Sequence, residues 1–200
     1  MMSLTTLAHA QDKGADQKKS SWFKLCFKDK VATPPAKGKE SKPEVKNICL
    51  TQYESFNPKN GRVLVAAAIR QIEGQKNKQF MVIVPHGMLL PAGVRVQVDK
   101  NKQFALPYTI CTPGGCTAEI PATDDIMKQI QTGKEMRIAV LTRVQKPIFF
   151  PVPLNGFETA MNGKPIDNKK YAELLGKLWD KIRERNQKIA GQNGAEKKSN

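Results

Sequence analysis

The segment Cys111-Thr112-Pro113-Gly114-Gly115-Cys116 constrains the fold of this chain more than any other stretch. Pro113 fixes one φ, and the two glycines can take the positive φ that a sharp reversal needs. Such a reversal brings two strand ends within the separation that a disulfide spans. The other two cysteines, Cys26 and Cys49, each sit in a strand-like run, residues 22–27 and 45–53. Four cysteines permit three pairings, and sequence alone does not select one. Geometry favours Cys111–Cys116 across the tight loop and Cys26–Cys49 between neighbouring strands. Each bridge stabilises by about 2–4 kcal/mol. Zinc would ask for C-x2-C pairs or nearby histidines, but the close pair is C-x4-C and the only histidines are His9 and His86. A thioredoxin-like site would need C-x-x-C opening a helix. The expectation is two structural disulfides, no metal and no cofactor.

Disulfides belong to oxidising compartments. The N-terminus agrees: Met1 to Leu7 is a short apolar run, then Ala8-His9-Ala10 places small residues around a cleavage point before polar Gln11-Asp12-Lys13. Residues 1–10 are expected to be a signal-peptide remnant and 11–21 a flexible lead. No other segment approaches the ~20 apolar residues of a membrane span. The expected destination is the periplasm, the outer envelope or the exterior.

Along the chain, period-two patterns dominate. Residues 22–27, 45–53, 62–73, 80–84, 94–99, 104–111 and 136–144 read as strands. Phe80-Met81-Val82-Ile83-Val84 is continuously apolar, the pattern of a strand buried on both faces. Residues 147–154 are apolar but carry Pro147, Pro151 and Pro153, which confine them to a sheet edge. Between the first two strands, residues 28–46 are rich in lysine and proline and read as a mobile basic loop. One short helix follows Thr123, with Asp124 and Asp125 in its first turn, Ile126, Met127 and Ile130 on one face and Gly133 closing it. A short helical turn occupies 156–163. From Asp167 the period changes to 3.6: Tyr171, Leu174, Leu175, Leu178, Trp179, Ile182 and Ile189 form a core-type stripe of an amphipathic helix. The expected fold is mainly β, a β-sandwich of about eight strands with a short helix and a C-terminal amphipathic helix. The domain spans 22–163, the helix 164–190 and a disordered tail 191–200.

Three motifs then point to a family. Pro85-His86-Gly87 with Leu90-Pro91-Ala92-Gly93-Val94 is like a P-x-G…L-P-x-G-V segment. Cys111 to Ala118 resembles a C-x4-C-x-A loop, and Leu154-Asn155-Gly156-Phe157 with Ala160 is similar to a closing L-x-G-F-x-x-A element. Together with Trp22, Cys26 and Cys49 they resemble the invasion-associated locus B family over residues 22–163. The resemblance implies an exported β-sandwich linked to host-cell entry, of erythrocytes in particular, with no established catalytic residues. The Lys/Pro-rich insertion and the long basic helix depart from the common pattern.

Charge is the compositional outlier. Lys plus Arg is 33 against 18 for Asp plus Glu, a formal net charge of +15. Such a chain attracts polyanions. Aromatics are 6%, few for the stacking platforms of single-strand nucleic-acid binding, so no specific nucleic-acid partner is expected. The candidate polyanion-binding residues are Lys37, Lys39 and Lys42 of the loop and Lys169, Lys170, Lys177, Lys181 and Lys188 of the helix. Catalysis has little support: there is no phosphate-binding glycine loop, nucleophile elbow or histidine pair. Asp124-Asp125 fits helix N-terminal charge stabilisation, Asp99 a turn, and His86 a loop. The resulting expectation is a non-catalytic exported protein supporting host-cell contact or invasion through a basic surface that meets a host-cell surface, anionic glycan or lipopolysaccharide. The alternative is a periplasmic structural or accessory protein with no host role.

Overall fold

The computed structural model describes residues 22–31 and 43–196, with side chains described as far as residue 189. The expected signal remnant and flexible lead, and Lys37, Lys39 and Lys42, lie outside the described residues.

Strand β1 (Trp22–Val31) pairs antiparallel with β2 (Glu44–Phe56), and the register sets Cys26 directly opposite Cys49. The two form a disulfide with Cα atoms 4.1 Å apart. The basic loop expected over 28–46 is therefore shorter, because Lys28, Lys30 and Lys46 belong to the hairpin ladder. An Asn57–Gly61 turn, closed by the Gly61 amide donating to the Asn57 carbonyl, leads into β3 (Val63–Ile72), followed by β4 (Gln79–Val84). Then come β5 (Val94–Val98), β6 (Phe104–Leu106), β7 (Tyr108–Thr112) and β8 (Gly115–Pro121). After helix α1 (Asp124–Thr132) come β9 (Glu135–Leu141), β10 (Pro147–Pro153) and helices α2 (Phe157–Asn162) and α3 (Asn168–Glu196). The strands make two antiparallel sheets, ordered β1-β2-β3-β4-β8-β7 and β10-β9-β5-β6.

Ten strands replace the expected eight or so. The run from Phe104 to Cys111, expected as one strand, breaks at Pro107. β6 pairs with β5 in the smaller sheet, and β7 pairs with β8 in the larger. Proline has no amide to give a ladder, so the chain changes sheets there at little cost. The Cys111–Cys116 disulfide closes the β7–β8 hairpin, with Gly115 at φ 139°. Strand β10 lies at an edge, as its prolines require.

The core fills the space between the sheets. Val65, Ala67, Ile69, Phe80, Val82 and Val84 face Val94, Val96, Val98, Met136, Ile138 and Val140 in one buried cluster. Trp22 joins the layers: its indole Nε1 donates to the Pro153 carbonyl at 2.7 Å, and its ring meets Phe157 of α2 edge-on at 4.9 Å. Helix α1 inserts Ile126, Met127 and Ile130, and its first turn is capped by Thr123 Oγ1. Strand β4 corrects its expectation. Phe80, Val82 and Val84 are buried, but Met81 and Ile83 on the opposite face are only half-buried. Helix α3 begins at Asn168 and runs to Glu196, into the stretch expected to be a tail.

Candidate functional site: the C-terminal helix and the cleft beneath it

Asp167 starts α3, its Oδ1 accepting the amides of Lys169 and Lys170 and so satisfying donors that a helix start leaves open. The helix is fastened near this end. The Ile166 amide donates to the Lys24 carbonyl at 2.8 Å, Asn168 Nδ2 to the Cys26 carbonyl at 3.2 Å, and the Tyr171 ring lies 5.2 Å from that of Phe23. Further along, Trp179 packs over Gly61, and Asn186 Nδ2 donates to the Lys59 carbonyl at 2.9 Å.

Tyr171 also donates to Glu54 Oε2 at 2.6 Å. Burial raises the Glu54 carboxyl above the usual range, and the Tyr171 hydroxyl partly offsets this. Burial raises the Tyr171 hydroxyl strongly too, and the neighbouring carboxylate adds to the effect.

The apolar stripe is covered only in part. Ile182 is buried and Tyr171, Leu175 and Leu178 are half-buried, while Leu174 is 52% exposed, Trp179 41% and Ile189 46%. The core-type stripe expected from the sequence therefore leans on the larger sheet without being enclosed by it. A cleft of about 690 Å³ remains, lined by Phe56, Leu64, His86, Tyr171, Leu175 and Trp179 among others.

The five helix lysines, Lys169, Lys170, Lys177, Lys181 and Lys188, are all exposed. At 3.6 residues per turn, Lys170, Lys177, Lys181 and Lys188 fall on one stripe about 27 Å long, and Lys169 stands about a quarter-turn aside. The other titratable residues considered from the sequence have structural surroundings. Asp99, at φ 48°, accepts the amides of Lys134 and Glu135. Asp125 accepts from Gln129 one turn on. His86 is exposed in its loop. Among the described residues no cluster of three or more His, Cys, Asp or Glu could hold a metal, and no helix is long and apolar enough to cross a membrane.

Sequence reasoning missed a second cationic surface, on the outer face of the smaller sheet. There Arg137 lies over the Phe149 ring, 6.0 Å from its centroid, and donates from Nη2 to Gln97 Oε1 at 2.9 Å. Alternation along β5 and β9 points Arg95 and Arg137 outward, but only strand register reveals that they share a neighbourhood with Phe149.

The model of the invasion associated locus B (IalB) protein family matches residues 22–165, from the start of β1 to just before α3. The chain belongs to the IalB family. It is similar to invasion protein B homologs of Brucella abortus strain 2308 and of Brucella abortus biovar 1 strain 9-941. Each is 22% identical over 115 residues, 57% of this chain. The match spans 66% of those relatives' own length. The crystal structure of invasion associated protein B from Bartonella henselae superposes with a TM-score of 0.50 at 26% identity, covering 58% of this chain and 89% of that one. The IalB match thus takes in both disulfides and both sheets, while the lysine-bearing helix follows it.

Proposed function

We propose that this IalB-family chain is an exported, non-catalytic protein that meets polyanionic surfaces, those of a host cell included, through its basic C-terminal helix. The observation that carries the reading is the lysine stripe of α3, exposed along the helix on a chain of net charge +15. Two disulfides suit an oxidising destination. Lys37, Lys39 and Lys42 add to the net charge of the chain. An ammonium is a point charge on a flexible stem, so these lysines attract anions without fixing their orientation. Binding by this route is weak, broad and salt-dependent, fading as the Debye length falls from about 10 Å at 0.1 M to about 3 Å at 1 M.

A heparin column with a salt gradient tests the reading. The protein should be retained at low salt. A variant with Lys169, Lys170, Lys177, Lys181 and Lys188 replaced by Glu should elute earlier. Native protein in the flow-through, or unchanged retention of the variant, would overturn it. Fractionating the native bacterium and probing intact cells decides between surface display and a periplasmic role.

A further inference from the structure

We infer that the outer face of the four-stranded sheet is a binding site for an acidic saccharide: Arg95 and Phe149 line a depression floored by Ala139, and Arg137, held on the Phe149 ring, stands beside it. The register places these groups. Ala139 of β9 stands between Phe149 of β10 and Arg95 of β5, and Ala105 of β6 lies beyond Arg95. A small residue between two long ones leaves a hollow, of about 220 Å³, whose walls include Arg95, Gln103, Leu141, Pro147 and Phe149. Arg137 lies one same-face step along β9 from Ala139, which makes it a diagonal neighbour of Arg95. Diagonal neighbours on a sheet face stand about 7–8 Å apart.

The two guanidinium groups differ in a useful way. Arg137 is held in place by Gln97 on one side and by the Phe149 ring on the other. Arg95 is exposed and makes no ion pair or side-chain hydrogen bond among the described residues. The acid of β9 on this face, Glu135, stands opposite Pro153, one same-face step beyond Arg137 and four residues from Ala139, and it makes no ion pair with Arg137.

The face therefore offers planar forks for an oxyanion directly beside an apolar wall. Guanidinium matches carboxylate, and oxyanions of like shape, through paired N–H donors, and it is less hydrated than an ammonium. The ligand that uses both halves has a flat apolar side and an oxyanion fixed to the same ring. A sulfated, uronic-acid-bearing saccharide has that chemistry. An acidic peptide fits less well, because Pro147, Pro151 and Pro153 remove amide donors along the β10 edge where an extended chain would pair. This site lies apart from the α3 lysines; it shares the anionic ligand class of the proposed function but none of its residues.

The test is calorimetric titration of the full chain with a heparin-derived octasaccharide at about 0.15 M ionic strength, where the Debye length is about 8 Å. Replacing both arginines, Arg95→Lys with Arg137→Lys, keeps the charge and removes the forks; affinity should fall about tenfold or more. Ala139→Leu fills the hollow from the solvent side and should lower affinity similarly, with circular dichroism checking the fold. Unchanged affinity in the arginine pair would overturn the inference even if Ala139→Leu fails to fold. So would equal competition by polyglutamate or by lipopolysaccharide vesicles when measured on the five-lysine Glu variant, where the helix no longer takes part. The five-lysine Glu variant separates the two readings. If it alone loses binding, the helix reading stands and this site falls. If the arginine pair alone loses binding, the sheet face is the site and the helix reading falls.

Discussion

The indole of Trp179 lies so close over Gly61 that a Cβ on that glycine would stand 2.5 Å from the ring. Gly61 also has φ +67°, a backbone conformation that side chains disfavour. The pair couples the β2–β3 turn to the middle of α3, where few other contacts hold the helix.

Gly61→Ala should therefore do more than strain the backbone. Gly74 makes the control, since it has φ +75° and nothing within 4 Å of its would-be Cβ. Gly74→Ala should cost about 1–2 kcal/mol from the left-handed backbone alone. Gly61→Ala should cost more and push Trp179 into water, seen as a red shift of tryptophan emission. The other tryptophan, Trp22, is buried and should not contribute. Equal costs and unshifted emission would contradict the contact.

The Tyr171–Glu54 pair makes helix docking pH-dependent. Glu54 has a folded pKa raised above its unfolded value, so its favourable contribution is full below about pH 4.5 and is lost as pH rises through the folded value. Glu54→Gln should thus raise the melting temperature at pH 7 and make little difference in the acid range. Tyr171 follows the same rule at the alkaline end. Its contribution is intact below pH 10 and lost above that, as the unfolded chain gains the option of ionising. Melting curves from pH 4 to 11 test both signs.

Trp22→Phe keeps a ring in the core but removes the indole donor to the Pro153 carbonyl. An unsatisfied, partly buried carbonyl costs about 1–3 kcal/mol, so the denaturant midpoint should fall accordingly. Trp22→Ala should cost about 3–5 kcal/mol, since the ring also fills space against Tyr53 and Phe157. A phenylalanine variant as stable as the native protein would show that the hydrogen bond adds nothing.

The two disulfides close segments of different length, with sequence separations of 23 and 5. On the chain-entropy account, removing Cys26–Cys49 costs about 3 kcal/mol and removing Cys111–Cys116 about 2 kcal/mol. Paired Cys→Ser variants, compared by urea denaturation, should rank in that order.

Local signals in the sequence carried through where chemistry was local. Thr123 capped α1, Pro147 and Pro151 kept β10 at an edge, and the Pro-Gly-Gly loop closed a hairpin that a disulfide could bridge. Non-local arrangements were not legible. Nothing in Phe104-Ala105-Leu106-Pro107-Tyr108 says that its two halves pair in different sheets, because pairing depends on partners remote in the chain. The apolar stripe of α3 suggested a docked face, yet a period of 3.6 cannot tell how much surface waits opposite. The lysines were visible as a periodic run; the Arg95–Arg137–Phe149 face was not, since it is assembled from three strands whose register only the fold sets.

The two disulfides lie at opposite margins of the six-stranded sheet, one joining β1 to β2 at mid-strand and the other joining β7 to β8 beside their turn. Sheets unzip from their margins, where a strand has a neighbour on one side only. Here each marginal strand is covalently riveted to the strand inside it, so neither can separate completely, and β1 is pinned at its middle. Opening is easier in the smaller sheet, whose margins β6 and β10 carry no rivet, or at the lightly held helix. A reducing environment would move the point of failure to the larger sheet without altering a single packing contact, which makes the order in which the molecule comes apart a property of its surroundings.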